Sequence, residues 1–211
     1  MKKLTLIPFS LLLSCACPNM HGGTDVSVSN GKTTGTTVYV SFGADSAITA
    51  GDWSFCSGSG LNCNFELAAN TTKPLPNPEG QYLNATFSFD DPVGCGVTKA
   101  EVNVNNPSWY DILDVSLVDG YSNKVEISAT PTGESATNLG PPNGQTGNEE
   151  IFGVFPYGCD ICVERQSPPC GIPTGKVGCK AGTQYDPDPP CQYQGPNKGG
   201  GGLSVDVTLM P

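Results

Sequence analysis

Apolar and polar residues alternate with a period of two over many short stretches of this chain, the spacing of half-buried β-strands. Val26 and Val28 alternate with Ser27 and Ser29, and the run from Thr36 to Phe42 is rich in β-branched and aromatic residues. An Asn-Gly-Lys turn at Asn30 to Lys32 lies between them and predicts a hairpin. Ala47 to Phe55 and Cys63 to Leu67 continue in the same style, with Trp53 and Phe55 on one side as core aromatics. Three prolines, Pro74, Pro76 and Pro78, make Asn70 to Gly80 an extended surface connection. Beyond it, Leu83, Ala85, Phe87 and Phe89 share one face, Val125 and Ile127 mark a short strand, and Leu203 to Leu209 alternates regularly near the end. The pattern predicts an all-β protein.

The stretch from Thr98 to Tyr121, TKAEVNVNNPSWYDILDVSLVDGY, combines this alternation with acidic residues. Ala100, Val102 and Val104 alternate with Lys99, Glu101 and Asn103, which puts Glu101 on the polar face. Leu113, Val115 and Leu117 alternate with Asp114 and Ser116, so Asp114 also points away from the apolar side. Asn105, Asn106 and Pro107 break the two strands apart, because Asn tolerates turn geometry and Pro lacks a ladder donor. Two strands joined this way can turn Glu101 and Asp114 into one cleft, with Asp119 five residues further on.

The run WYDILDVSLVDGY, with an acid upstream in a KAEV context, resembles the signature region of the thaumatin-like proteins. The resemblance is specific over residues 95 to 125, with Cys95 where that family carries a cysteine, and looser elsewhere. It implies a thaumatin-like β-sandwich with a loop-rich, disulfide-stapled lobe and an acidic cleft between the two. It maps cleft roles onto Glu101, Asp114 and Asp119, with Asp160 as the further cleft acid. Beside them, Trp109 and Tyr110 are read either as flanking the ligand or as core aromatics. The family also sets an Arg from an earlier strand in the cleft. This chain's single Arg, Arg165, lies far downstream, so that partner is expected to be missing.

Composition agrees with a turn-rich sandwich: the 211 residues include 27 Gly and 19 Pro, enough to interrupt any long helix. Residues 18 to 211 are read as one domain. Thr130 to Gly147 reads as a loop or flap, and residues 156 to 196 hold eight prolines and five cysteines, too many for a continuous sheet. Residues 130 to 202 therefore form the lobe, Gly199 to Gly202 relax the chain, and residues 203 to 209 return to the main sheet. Beyond residue 17, Cys56, Cys63, Cys95, Cys159, Cys162, Cys170, Cys179 and Cys191 are an even set, expected to form four disulfides in an oxidising compartment. Zinc at the Cys159-x-x-Cys162 pair is disfavoured, since partner spacings are irregular and the sole histidine, His21, is distant. No metal is expected, and with no nucleotide-binding glycine loop no cofactor is either.

Lys2 and Lys3 before an apolar run from Leu4 to Leu13 make residues 1 to 17 a signal peptide, too short to span a bilayer. Two cleavage patterns compete. Ser14 and Ala16 suit an ordinary signal peptidase, giving a secreted protein. Leu12-Leu13-Ser14-Cys15 resembles a bacterial lipobox, which would place a lipid anchor at Cys15 or Cys17 in a membrane-anchored or periplasmic lipoprotein. Secretion is preferred, because lipidation at Cys15 leaves Cys17 unexplained. The net charge of −10 falls two units lower without Lys2 and Lys3, which disfavours nucleic acid and suits neutral or cationic partners.

Two carboxylates in a cleft are what glycoside hydrolysis needs, one protonating the leaving oxygen and one acting as nucleophile or base. The resemblance makes Glu101 the acid, a role that burial or neighbouring like charge favours by keeping a carboxyl protonated, and Asp114 the base or nucleophile. Three functions follow: a monomeric, secreted protein binding β-1,3-glucan or a similar wall polymer, acting in defence against fungi or other cells; a weak endo-β-1,3-glucanase using the same acids; or an exported inhibitor or adhesion protein with an idle cleft. In the plainest reading, Asp119-Gly120 is a turn pair and the other acids are solvated strand residues.

Overall fold

Fourteen strands are assigned in the computed structural model, which describes residues 22–77, 80–94, 96–116, 122–130, 134–137, 164–165, 175–176 and 192–211. One sheet of five strands is built from β1 (Asp25–Asn30), β5 (Thr71–Leu75), β9 (Val125–Thr130), β10 (Glu134–Thr137) and β14 (Ser204–Leu209), in the order β10-β9-β14-β1-β5. A second sheet of seven strands runs β13-β8-β7-β6-β2-β4-β3. Its members are β2 (Thr36–Phe42), β3 (Ser57–Ser59), β4 (Asn62–Leu67), β6 (Leu83–Phe89), β7 (Lys99–Val104), β8 (Tyr110–Ser116) and β13 (Gln192–Lys198). A separate pair joins β11 (Glu164–Arg165) to β12 (Gly175–Lys176).

The period-two pattern has the consequence expected of it. Val28, Val38, Phe87, Val104, Val115, Ile127, Val207 and Leu209 are all buried in one core supplied by both sheets. Trp53 joins them: its ring meets Phe42 edge-on with centroids 5.0 Å apart, and its Nε1–H donates to the Pro76 carbonyl at 3.0 Å. β14 lies between β1, which it pairs in parallel, and β9, which it pairs antiparallel, so the C-terminal strand closes the five-stranded sheet.

Several expectations are corrected. β1 and β2 form no hairpin; each pairs within a different sheet, and the chain crosses the sandwich at Gly31 to Gly35. Asn30 anchors that crossing, its Nδ2 donating to the carbonyls of Thr34, Leu67 and Ala68. The proline-rich segment contains β5, an edge strand of the five-stranded sheet, the position in a sheet where proline is tolerated. The stretch Ala47 to Phe55, read as strand, contains none; it carries a 3-10 turn at Ala50–Asp52, whose Asp52 carboxylate accepts from the Thr49 backbone N–H and hydroxyl. Residues read as loop or lobe supply β10 and β13, and β13 pairs β8 with a register shift between Gln194 and Lys198. Gly195 and Pro196 lie inside that shift, which explains how a Gly-Pro sequence enters a sheet edge.

Gly199 to Gly202 also differ from the expectation of a relaxed tether. All four have positive φ, from 75° to 105°, in a tight packed turn. Thr24, Asn105 and Asp111 are buried beside it. The Asn105 side chain accepts from the Thr24 N–H at 2.6 Å and donates to the Thr24 carbonyl at 2.9 Å, while the Asp111 carboxylate accepts from the Thr24 hydroxyl and the Asn105 N–H. Gly201 N–H completes the knot by donating to the Thr24 hydroxyl oxygen at 3.1 Å. Of the expected disulfides, Cys56–Cys63 is formed; Cys95, Cys159, Cys162, Cys170, Cys179 and Cys191 lie outside the described residues.

Candidate functional site

The hairpin of β7 and β8 is shaped by its turn. Asn105 takes φ 60°, a left-handed conformation that Asn adopts more readily than most residues. Asn106 then opens a tight turn with Pro107 at its second position: Trp109 N–H donates to the Asn106 carbonyl at 3.2 Å, and Ser108 N–H donates to the Asn106 side chain at 2.9 Å. The turn throws Trp109 outward. It is 54% exposed, its ring edge-on to Tyr110, and its carbonyl accepts from Gly199 N–H at 2.7 Å.

Because the turn fixes the register, Glu101 and Asp114 become direct cross-strand partners. Val102, Leu113 and Val115 face the core, so both acids project from the other side of the sheet. There they line a shallow groove of about 410 Å³ together with Thr86, Asn84, Asn103 and Trp109. Asp114 sits deep, only 8% exposed, while Glu101 is half-buried. Directly opposed side chains in a sheet lie with Cβ atoms about 4.5–5.5 Å apart, and two acids there repel. Such a pair is a poor choice for stability alone.

A hydrogen-bonded chain supports the groove from one end. The Asp45 carboxylate accepts from Asn84 Nδ2 at 2.8 Å and from the Tyr82 hydroxyl at 3.1 Å. Tyr82 in turn accepts from Asn103 Nδ2 at 2.9 Å. The Asn84 amide, followed by Asp45's own backbone and Tyr82, holds the Asp45 carboxyl below its ordinary value against an opposing push from desolvation. Asn103 Oδ1, by contrast, is a buried acceptor with no hydrogen-bond partner among the described residues, in a residue that lines the groove. A hydroxyl donor entering the groove would satisfy it.

Comparison with known proteins finds no matching family model and no matching curated protein. Solved structures do match. The chain is similar to a thaumatin-like protein. That structure, the thaumatin-like xylanase inhibitor TLXI, is 11% identical and aligns over 88% of this chain and 99% of its own with a TM-score of 0.44. A second, the protein elicitor MoHrip2 from Magnaporthe oryzae, is 13% identical over 90% of this chain and 100% of its own, with a TM-score of 0.42. The all-β, two-sheet architecture stands on the strand pairing itself, and no activity is taken from either structure.

Of the residues singled out by sequence, Glu101, Asp114 and Trp109 are brought together at the groove, and Tyr110 packs against Trp109 at its edge. Asp119 and Asp160 lie outside the described residues, as does the Arg165 side chain. Sequence reasoning missed Asn84, Thr86 and Asn103, although each occupies a polar position in an alternating strand next to the acids. It also missed Asp45, for which no strand pattern gave a signal, and Tyr82, which stands at the start of the alternating Tyr82 to Phe89 stretch. Among the described residues no group of three or more His, Cys, Asp or Glu side chains is placed to hold a metal ion, and no helix is long and apolar enough to cross a membrane.

Proposed function

We propose that the protein is an exported carbohydrate-binding protein whose groove takes a β-1,3-glucan or a similarly hydroxyl-rich wall polymer. The carrying observation is the direct opposition of Glu101 and Asp114 at the floor of a groove with exposed Trp109 at its rim. Carboxylates accept hydrogen bonds from sugar hydroxyls, and the Asn84 and Asn103 amides offer both donors and acceptors. The indole face suits the apolar face of a pyranose ring. Export is supported by the apolar leader after Lys2 and Lys3, and by the Cys56–Cys63 disulfide, a bond characteristic of oxidising compartments.

The opposed acids favour a second reading, weak hydrolysis by the same groove. A cross-strand pair can hold its carboxyl groups near the ~5 Å separation used by retaining glycosidases. Glu101 would then protonate the leaving oxygen and Asp114 attack the anomeric carbon. Incubation with soluble β-1,3-glucan, with binding and reducing-end release followed for wild type, Glu101→Gln and Trp109→Ala, separates the outcomes. Binding that falls about tenfold in Trp109→Ala supports the carbohydrate reading, and reducing-end release lost in Glu101→Gln adds the hydrolytic one. Equal failure of all three proteins to bind glucan leaves the idle-cleft alternative, an inhibitor or adhesion protein.

A further inference from the structure

Directly opposite residues in an antiparallel sheet share a face, so one level of the seven-stranded sheet can be followed from edge to edge. It runs from Ser59 on β3 to Asn62 on β4, Ser41 on β2, Thr86 on β6, Glu101 on β7, Asp114 on β8 and the backbone position of Gln192 on β13. Every strand contributes a polar residue type at this level. The adjacent level, Cys63, Val40, Phe87, Ala100 and Val115, points the other way and is buried.

The polar row joins two hollows on the same face. One is the groove at Glu101 and Asp114. The other, about 250 Å³, lies over β2 to β4 and is lined by Tyr39, Ser57, Asn62, Asn64, Pro92 and Val93. Tyr39 and Asn64 are cross-strand partners, and Ser57 pairs Asn64 from the other side. Each hollow thus couples one aromatic ring, Trp109 or Tyr39, to side chains that hydrogen-bond, and Ser41 and Thr86 bridge them.

We propose that the second hollow is a distal subsite, so that the protein binds an extended, uncharged hydroxyl-rich chain lying across the strands along the row from Asp114 to Asn62. This inference rests on the carbohydrate reading of the groove. With strands about 4.8 Å apart, the four steps from β8 to β4 cover about 19 Å, on the order of four hexose units. Beyond Glu101 and Asp114 toward β3 the row is Ser, Thr and Asn, which both donate and accept but carry no charge. An uncharged chain is therefore favoured there over an anionic or cationic one.

Calorimetric titration of the disulfide-intact protein with β-1,3-linked gluco-oligosaccharides, from the disaccharide to the hexasaccharide, tests the subsite. Affinity is expected to rise about tenfold between the trisaccharide and the pentasaccharide and then level off. Tyr39→Ala and the exposed Asn62→Ala should each abolish that rise while leaving disaccharide affinity unchanged. Affinity already level at the disaccharide, or variants that weaken every length equally, would overturn the distal subsite and leave the groove reading standing. No binding at any length by wild type would remove the groove reading itself and the subsite with it.

Discussion

Gly200 shows how far a single position controls the site. Its φ is 75°, and a Cβ built there would stand 2.6 Å from Asp111 Oδ1 and 2.7 Å from Asn105 Cα, both part of the buried knot that holds the β7–β8 turn. Nothing flexible can give way. Gly200→Ala is expected to cost about 2–4 kcal/mol in chemical denaturation, from the strained backbone and the broken knot, and to weaken glucan binding because Trp109 leaves the same turn. Retained stability and binding would contradict that role for the turn. Asp45 acts differently, being exposed. Its carboxyl is held below the ordinary value of 3.8, chiefly by the Asn84 amide. The charged form is therefore the one stabilised by folding, so its contribution is present above that value and lost as pH falls through the lower folded one. Asp45→Ala should melt below wild type at neutral pH, with the gap closing in acid; a gap that stays constant down to about pH 2 would show that ionisation is irrelevant there.

At the scale of elements, pairing partners matter more than strand propensity. The β3–β4 hairpin is closed by Cys56–Cys63, whose seven-residue separation limits the unfolded chain by about 2–3 kcal/mol in the loop-entropy account. Cys56→Ala/Cys63→Ala is expected to lose about that much in urea unfolding, and a double variant as stable as wild type would refute it. The elements whose ends were misjudged share a cause. Pro74 and Pro196 read as strand breakers, yet β5 and β13 stand at the edges of their sheets, and Pro196 lies inside a register shift. The β1–β2 turn looked like a hairpin because Asn30-Gly31 is a good local turn, but β1 finds its partners in β5 and β14, far along the chain.

For the whole molecule, one core serves both sheets, and Phe87 is among its fully buried large side chains. Phe87→Ala should cost about 3–5 kcal/mol, the range for removing a buried aromatic ring. Because the core is shared, the loss should lower one cooperative melting transition; two separated transitions would indicate sheets that unfold independently. The same sharing leaves the outer face of the seven-stranded sheet free to carry polar residues at the level of Glu101 and Asp114 without disturbing the inner one. The proposed groove and the core thus lie on opposite faces of the same strands.

The alternation of side chains was legible in the chain because a strand's two faces are fixed by local geometry, one residue at a time. That alone determined the all-β class, the buried positions of Val102, Leu113 and Phe87, and the outward direction of Glu101 and Asp114. Tertiary structure decided who stands opposite whom. Register depends on hydrogen bonds between segments that approach only when the core closes, so the facing of Glu101 with Asp114, the support of Asn84 and Asn103 by Asp45 and Tyr82, and the parallel seat of β14 beside β1 exist only in the folded molecule.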